Sequence, residues 1–537
     1  FTILDRGDSE DVIQLLRTEL GFDRKERRFP KKQTIAEIFS MSVNRGLPLA
    51  ALLELDYLHL VEHVEDLDRL RRVYAEYKAR RSLVDYDDLL VLLRDLLAER
   101  RAVAERLSGD FRFVMVDEYQ DTNRLQSEIV ERLALAHRNI MAVGDDAQSI
   151  YSFRGADFRN IMDFPRLFPG ARIITLEQNY RSTQPILDLA NAVIERARER
   201  YTKVLRTETR EGERPMLVRA ENESYQSRFI CQRILELREE GVPLDEIAVL
   251  FRSSFHSFDL ELELGRADIP FVKRGGFKFV ESAHVKDVLA HLRVLVNPQD
   301  AVSWMRILCL LEGVGPKTAS DVIEKVIAGA GTPFSRLVDA PRAGSRSEEV
   351  ARLARMLGAL VEENVAPAAA MDRVFGYYRP ILQRIYLDDY PRRERDVEHL
   401  CTIAARYRSL ESMLSDFALE PPADTVDGAL AEDPDEVRLT LSTIHSAKGL
   451  EWHTVFLLWA AEGKFPAFAS GMNEEEVEEE RRLFYVAATR AKRRLYITHP
   501  VQFYDRGSGT VFGRPSRFVD GIPESILRPV AIVEEPL

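Results

Sequence analysis

The chain has little cysteine, no long hydrophobic run and no excess of positive charge. Its three cysteines among 537 residues, Cys231, Cys309 and Cys401, stand far apart and form no CxxC pair. That spacing excludes a disulfide framework, supplies no zinc or iron–sulfur ligand set and fits a reducing cytosol. No apolar run reaches the roughly 18 residues a membrane helix needs, and the N-terminus lacks a basic-then-apolar signal pattern. A cytoplasmic protein without a membrane partner is expected. The net charge of −13, from 75 Lys+Arg against 88 Asp+Glu, offers no globally basic body to nucleic acid. One further absence concerns chemistry. G-x-x-x-x-G-K-[ST], the loop whose backbone N–H groups cradle phosphates, occurs nowhere.

What is present is ordinary globular composition, 45% hydrophobic, in a chain long enough for several domains. Acid is concentrated in Asn473–Glu480 and in the Pro-rich stretch Pro421–Glu436, which reads as a solvated linker, while Arg and Lys recur elsewhere. Residues 1–78 read as helices; Val64–Arg81 places apolar residues on one face of a charged helix. Apolar strands follow at Phe111–Glu118, Asn139–Asp146 and Ala171–Gln178, alternating with helices such as Arg124–Leu135. That alternation predicts a parallel sheet covered on both faces, with ligands beyond the carboxyl ends of its strands. The pattern restarts at Pro215–Ala220 and Asp245–Ser253, and resumes at Val437–His445, Thr454–Ala460 and Arg493–His499. Between them, roughly 301–436 is mostly helical, so a second α/β domain is split by an insertion.

Five motifs sit at these strand ends in fixed order: VDEYQDTN (Val116–Asn123), VGDDAQSIYSFRGA (Val143–Ala156), LEQNYRST (Leu176–Thr183), LSTIHSAKGLEW (Leu441–Trp452) and EERRLFYVAATRAKRRL (Glu479–Leu495). Together they resemble the UvrD/Rep/PcrA family of superfamily 1 DNA helicases, over nearly the whole chain and most weakly between about 301 and 436. The resemblance implies an α/β protein of two RecA-like parallel-sheet motor domains with largely helical insertions. The divisions are 1–78, helical insertion of the first motor domain; 79–185, that domain; 186–300, the second motor domain, first part; 301–436, its helical insertion; and 437–537, its second part. It further implies an ATP-dependent 3′-to-5′ DNA helicase or translocase serving DNA repair or replication, using ATP and Mg²⁺, with ATP bridging the motor domains. The partners are single-stranded DNA and single-strand/duplex junctions. In the family the phosphate loop lies on an N-terminal segment, so the chain reads as one lacking that segment and expected to hydrolyse nucleotide negligibly by itself. A non-catalytic DNA-binding or regulatory fragment and the helicase arm of a helicase–nuclease are the rival readings.

The motifs supply a residue for each step. Asp117 and Glu118 are expected to end a buried strand, and by the resemblance Asp117 serves Mg²⁺ and Glu118 is the catalytic base; the plainer alternative is two acids capping a strand. Gln148 offers a neutral amide that contacts a γ-phosphate or its water, a sensor of hydrolysis, or else a surface-loop amide. Arg181 and Arg490 carry planar guanidinium groups suited to transition-state charge; for Arg490, among Arg481, Arg482, Lys492, Arg493 and Arg494, a solvated basic helix competes. Tyr180 stacks on adenine in the resemblance, or is core packing, and Glu451 touches ribose. Tyr151, Phe153 and Arg154 offer stacking faces and a cation to single-stranded DNA, with core burial as the alternative for both aromatics. Thr443, His445 and Lys448 are phosphate or sugar contacts, with a structural role for His445 as the alternative and no i+3 or i+4 His/Cys partner to make it a metal ligand. Leu310–Val326 resembles a helix–hairpin–helix element, in which Gly313, Gly315 and Lys317 meet phosphates of the duplex; a tight helix–helix turn is the alternative. Ser282 departs from the family, which commonly has Arg there.

Overall fold

The computed structural model describes residues 1–22, 29–274, 282–328, 337, 345–363, 365–418, 437–467, 473–505 and 509–532. They fall into two compact units. One comprises Phe1–Tyr180, Leu187–Thr209 and Ala469–Thr489, the other Arg181–Ile186, Arg210–Phe468 and Arg490–Leu537. Among the described residues no helix is long and apolar enough to cross a membrane. The linker expected at Pro421–Glu436 lies outside the described residues.

The first unit begins with helices Arg6–Glu19, Lys32–Arg45, Leu49–Asp56 and Val64–Arg80. Their heptad-like apolar positions, including Ile13, Leu16, Ile35, Ile38, Leu52, Leu67 and Leu70, are buried. A capping box fixes the start of the first: the Asp5 carboxylate accepts from the Asp8 N–H, and Asp8 accepts from the Asp5 N–H. Thr2–Ile3 is a two-residue strand pairing in parallel with Leu83–Val84, inside a region expected to be helical. The unit's parallel ladder joins Val114–Val116 to Ile140–Ala142.

Two expectations fail in this unit. Ala171–Gln178 is not a strand; only Gln178 makes an isolated bridge, to Arg206. Nor are the strands covered on both faces: Met115 is 71% exposed and Met141 52%. An apolar run marks residues suited to a sheet, but a strand also needs a neighbour to take its backbone hydrogen bonds, and no described strand lies beside 171–178.

In the second unit the sheet is seven-stranded and wholly parallel. Its order is Arg528–Ala531, Met216–Ala220, Ala491–Pro500, Trp452–Leu457, Ile247–Phe251, Leu439–Thr443, Phe271–Arg274. The interior strand Ile247–Phe251 is fully buried, as an IAVLF run covered on both faces should be. Strands from before and after the helical stretch interleave, so the helices leave from and return to one sheet. The α/β class read from the sequence is the one observed; the edge strands Phe271–Arg274 and Arg528–Ala531 were not anticipated. The helices Ala301–Cys309, Pro316–Ala328, Ser345–Glu362, Pro367–Ile385, Tyr390–Ala404 and Leu410–Ala418 share a core with Ala283–Val296, centred on Trp304, Tyr378, Leu382 and Leu400. Arg406 ties these helices to the sheet domain by donating to the buried carboxylates of Glu223 and Asp259. Although burial opposes its charge, Glu223 is held at about 2 by His399 and Arg406.

Candidate active site

Asp117 and Glu118 leave the carboxyl end of Val114–Val116, and both are exposed. The strand beneath them is half-exposed, which corrects the expectation that they end a buried strand. Glu118 has φ +50° and ψ +41°, a left-handed conformation uncommon for a residue with a Cβ. Two contacts accompany it there. The Glu118 N–H donates to Asp117 Oδ1 at 2.9 Å, and Gln120 Nε2 donates to Glu118 Oε2 at 2.5 Å. Gln120 has no exposed surface. Its Oε1 accepts from the Asp145 N–H at 3.0 Å, so one side-chain amide joins the acidic strand end to the GDDAQS loop, and its backbone carbonyl accepts from Ser149 Oγ at 3.1 Å. Gly144 must lack a side chain here, since a Cβ would stand 2.5 Å from Gln120 Oε1.

In that loop Gln148 Nε2 donates to Asp145 Oδ2 at 2.7 Å, while Asp145 Oδ1 accepts from the Ala147 N–H at 3.0 Å. Beyond it, Tyr151 is half-buried and Phe153 is 43% exposed, with ring centroids 6.0 Å apart. The Arg154 guanidinium lies 5.4 Å from the Tyr151 ring and 5.6 Å from the Phe153 ring. Core burial is therefore not the state of Phe153. Burial, followed by the Asp121 charge, raises the Tyr151 hydroxyl pKa, so it remains a neutral donor. The segment is held from two sides. Gly155, at φ +92°, packs on Asn44, where a Cβ would come within 2.9 Å of Asn44 Cβ. From helix Glu474–Ala488, Arg482 Nε donates to the Ser149 carbonyl at 2.8 Å, and the Ser152 N–H donates to Glu479 at 3.3 Å.

Tyr180, in the same unit, is 89% exposed, which removes core packing as its role. In the other unit Arg181 donates through Nε to Glu451, whose carboxyl is lowered chiefly by that bond; Lys492 adds a contact at 3.6 Å. Thus two residues expected at the γ-phosphate and the ribose are brought together as an ion pair. Arg490 is 2% exposed and donates through Nη1 to the Leu450 carbonyl at 3.1 Å. The solvated-helix alternative is overturned, because helix Glu474–Ala488 has ended at Thr489 and Arg493 and Arg494 belong to the strand Ala491–Pro500. Thr443 ends strand Leu439–Thr443, its Oγ1 donating to Ser446 Oγ at 3.0 Å; His445 and Lys448 follow, both half-buried, in the turn that closes at Gly449, φ +87°.

Gly313, at φ +75°, and Gly315 flank the buried Val314 between helices Ala301–Cys309 and Pro316–Ala328, with Lys317 exposed. The apolar residue between the glycines anchors the turn in the helical core and leaves the glycines outside it. Ser282 precedes helix Ala283–Val296 without a side-chain cap bond; Phe277–Glu281 lie outside the described residues.

Sequence reasoning missed Gln120, Asn44, Glu479, Arg482 and Lys203. Lys203 donates to Asp145 and, at 3.0 Å, to Asp146. The signal for it was present, since adjacent carboxylates beside an apolar strand require a cation if one is buried; Asp146 is 3% exposed. Among the described residues no cluster of three or more His, Cys, Asp or Glu could hold a metal alone. The hard oxygens of Asp117 suit Mg²⁺, which takes one or two protein carboxylates and completes its shell with water and phosphate oxygens.

Residues 1–169 match the model of the UvrD/REP helicase N-terminal domain and residues 174–502 that of the UvrD-like helicase C-terminal domain. The ATP-dependent DNA helicase PcrA of Staphylococcus aureus (strain Mu50) is 32% identical over 551 residues, covering 98% of this chain and 73% of the relative. PcrA of Staphylococcus epidermidis (strain ATCC 12228) is 31% identical over 550 residues, with the same coverage.

Proposed function

The chain belongs to the UvrD/Rep helicase family, and from that premise we propose that it is an ATP-dependent 3′-to-5′ DNA helicase acting on single strands and single-strand/duplex junctions, in DNA repair or replication. The observation that carries the reading is the Gln120 amide. It links Glu118 to the loop of Gln148, and Tyr151 and Phe153 follow three and five residues later. Nucleotide chemistry and base stacking therefore meet in one short, cross-linked segment.

In this mechanism Glu118 accepts the proton of the attacking water, and its position is fixed by Gln120. Mg²⁺, when bound at Asp117, supplies charge neutralisation on the phosphates. Gln148 reports the γ-phosphate; Arg181 and Arg490 neutralise charge developing on the transferred phosphoryl group. For Arg181 this requires leaving Glu451, so nucleotide competes with an internal ion pair. Tyr180 stacks on adenine, and Glu451, once released, turns to the ribose. Phe153 and Tyr151 grip bases while Arg154, Thr443 and His445 meet the backbone, without regard to sequence. Gly313, Gly315 and Lys317 touch duplex phosphates ahead of the junction.

The test is unwinding by the full-length protein of duplexes bearing a 3′ or a 5′ single-stranded tail. Unwinding of the 3′-tailed duplex, dependent on ATP and Mg²⁺, is expected. Equal unwinding of both, or preference for the 5′ tail, defeats the polarity; none on either, with ATP turnover intact, defeats the helicase reading.

A further inference from the structure

We propose that Lys203 is a positioning residue for ATP hydrolysis: through Asp145 it sets the orientation of the Gln148 amide. The proposal rests on the reading of Gln148 as the nucleotide sensor. Lys203 belongs to none of the five motifs and lies 55 residues beyond Gln148 in the chain. Its backbone is nonetheless pinned on both sides. The Tyr201 N–H donates to Asp146 Oδ2 at 3.0 Å and the Tyr201 hydroxyl to the Ile161 carbonyl at 2.8 Å. The Val204 N–H donates to Glu177 at 3.0 Å, and the Leu205 N–H to Asn191 Oδ1 at 2.9 Å. The side chain that emerges is 13% exposed and meets Asp145 at 26% and Asp146 at 4%.

The chemistry of Asp145 makes the lysine's effect directional. Its Oδ1 is occupied by Lys203 Nζ and the Ala147 N–H, and its Oδ2 accepts from Gln148 Nε2. An ionised carboxylate only accepts, so it selects the NH₂ end of the Gln148 amide and turns the carbonyl end away. Without the ammonium group, two neighbouring carboxylates face each other, one of them buried, and only the Ala147 N–H and the Gln148 amide are left to hold the Asp145 rotamer against that repulsion. Burial works against the charge on Lys203, yet the adjacent Asp145 and Asp146 raise its pKa above the ordinary value, so it stays cationic at neutral pH. Asp145 also presents its N–H to Gln120, and through Gln120 the same lysine bears on Glu118.

The experiment measures DNA-stimulated ATP turnover, KM for ATP, single-strand affinity and melting temperature in the full-length protein. Its variants are Lys203→Met, Lys203→Arg, Asp145→Asn, the Lys203→Met/Asp145→Asn pair and Gln148→Ala. Lys203→Met is expected to lower kcat by about tenfold or more, with KM and DNA affinity within about twofold. Lys203→Arg should restore most of the loss. The double variant should be little worse than Lys203→Met, because both changes break one chain of contacts. A lower melting temperature with unchanged turnover per folded molecule overturns the proposal, and so do fully additive losses in the double variant. If Gln148→Ala lowers turnover while Lys203→Met does not, the positioning role fails and the sensor stands. Normal turnover in Gln148→Ala removes the sensor, and the proposal with it.

Discussion

Gly144→Ala tests the link on which the proposed site depends. The new methyl would stand 2.5 Å from Gln120 Oε1, 2.9 Å from Ile161 Cδ1 and 3.3 Å from the Tyr119 nitrogen. The first contact cannot be relieved by simple rotation, because Gln120 is buried and held at both ends of its amide. If Gln120 stays, the core is overpacked, at about 1–3 kcal/mol. If it leaves, a charge-assisted bond to Glu118 worth about 1.5–3 kcal/mol is lost, and the Asp145 N–H loses about 1 kcal/mol more. Either route gives a local destabilisation of about 1–4 kcal/mol. Native-state hydrogen exchange of amides 143–149 reads this directly as faster exchange. The same substitution in a Gln120→Ala background should cost less, since the closest contact is gone and only those to Ile161 and the Tyr119 nitrogen remain. An undiminished cost in that background, or none in the wild type, would refute the argument that Gln120 fills the space over Gly144.

Arg490→Lys should lower DNA-stimulated turnover by roughly 10³-fold per folded molecule, because an ammonium group cannot reproduce a guanidinium fork; near-normal turnover in stopped-flow phosphate release would assign Arg490 to packing alone. Phe153→Ala should weaken single-strand binding by about 1–3 kcal/mol irrespective of base sequence, by fluorescence titration. A half-exposed ring predicts little change in stability, whereas a loss of about 3–5 kcal/mol with unchanged affinity would mean core packing. Burial lowers the pKa of His291 to about 4, against 6.5 for a free imidazole, so the folded protein binds fewer protons than the unfolded one. Its contribution is full above about pH 6.5, declines as pH falls and is gone below about 4, a total of about 3 kcal/mol. Melting temperatures across that range should fall less steeply in His291→Phe than in wild type; parallel curves would count against the assignment.

The sequence was most legible where local pattern and chemistry coincide. Strands such as Ile247–Phe251 are apolar and buried, and the motifs after Val114–Val116, Ile140–Ala142 and Leu439–Thr443 stand at strand ends because sheets present residues there. It was least legible where a property depends on a partner distant in the chain. Ala171–Gln178 has strand composition but no described strand beside it. Phe271–Arg274 and Arg528–Ala531 are short edge strands whose membership in the sheet is decided by Leu439–Thr443 and Met216–Ala220. For Arg490 the basic run around it left a solvated helix open as the alternative, yet the chain changes from helix to strand at that point and buries it. Lys203 lies outside every motif and Gln120 inside one without a role read for it, and only the fold sets Gln120 between Glu118 and Asp145 and Lys203 against Asp145 and Asp146.

The central claim is that a carboxylate at position 118 drives ATP hydrolysis that is coupled to DNA. Glu118→Gln in the full-length protein keeps the shape of the side chain and removes its basicity. Its steady-state ATP turnover on saturating single-stranded DNA, measured beside DNA affinity, should fall by at least about 10²-fold while DNA affinity is retained. Turnover within about twofold of wild type would contradict the account.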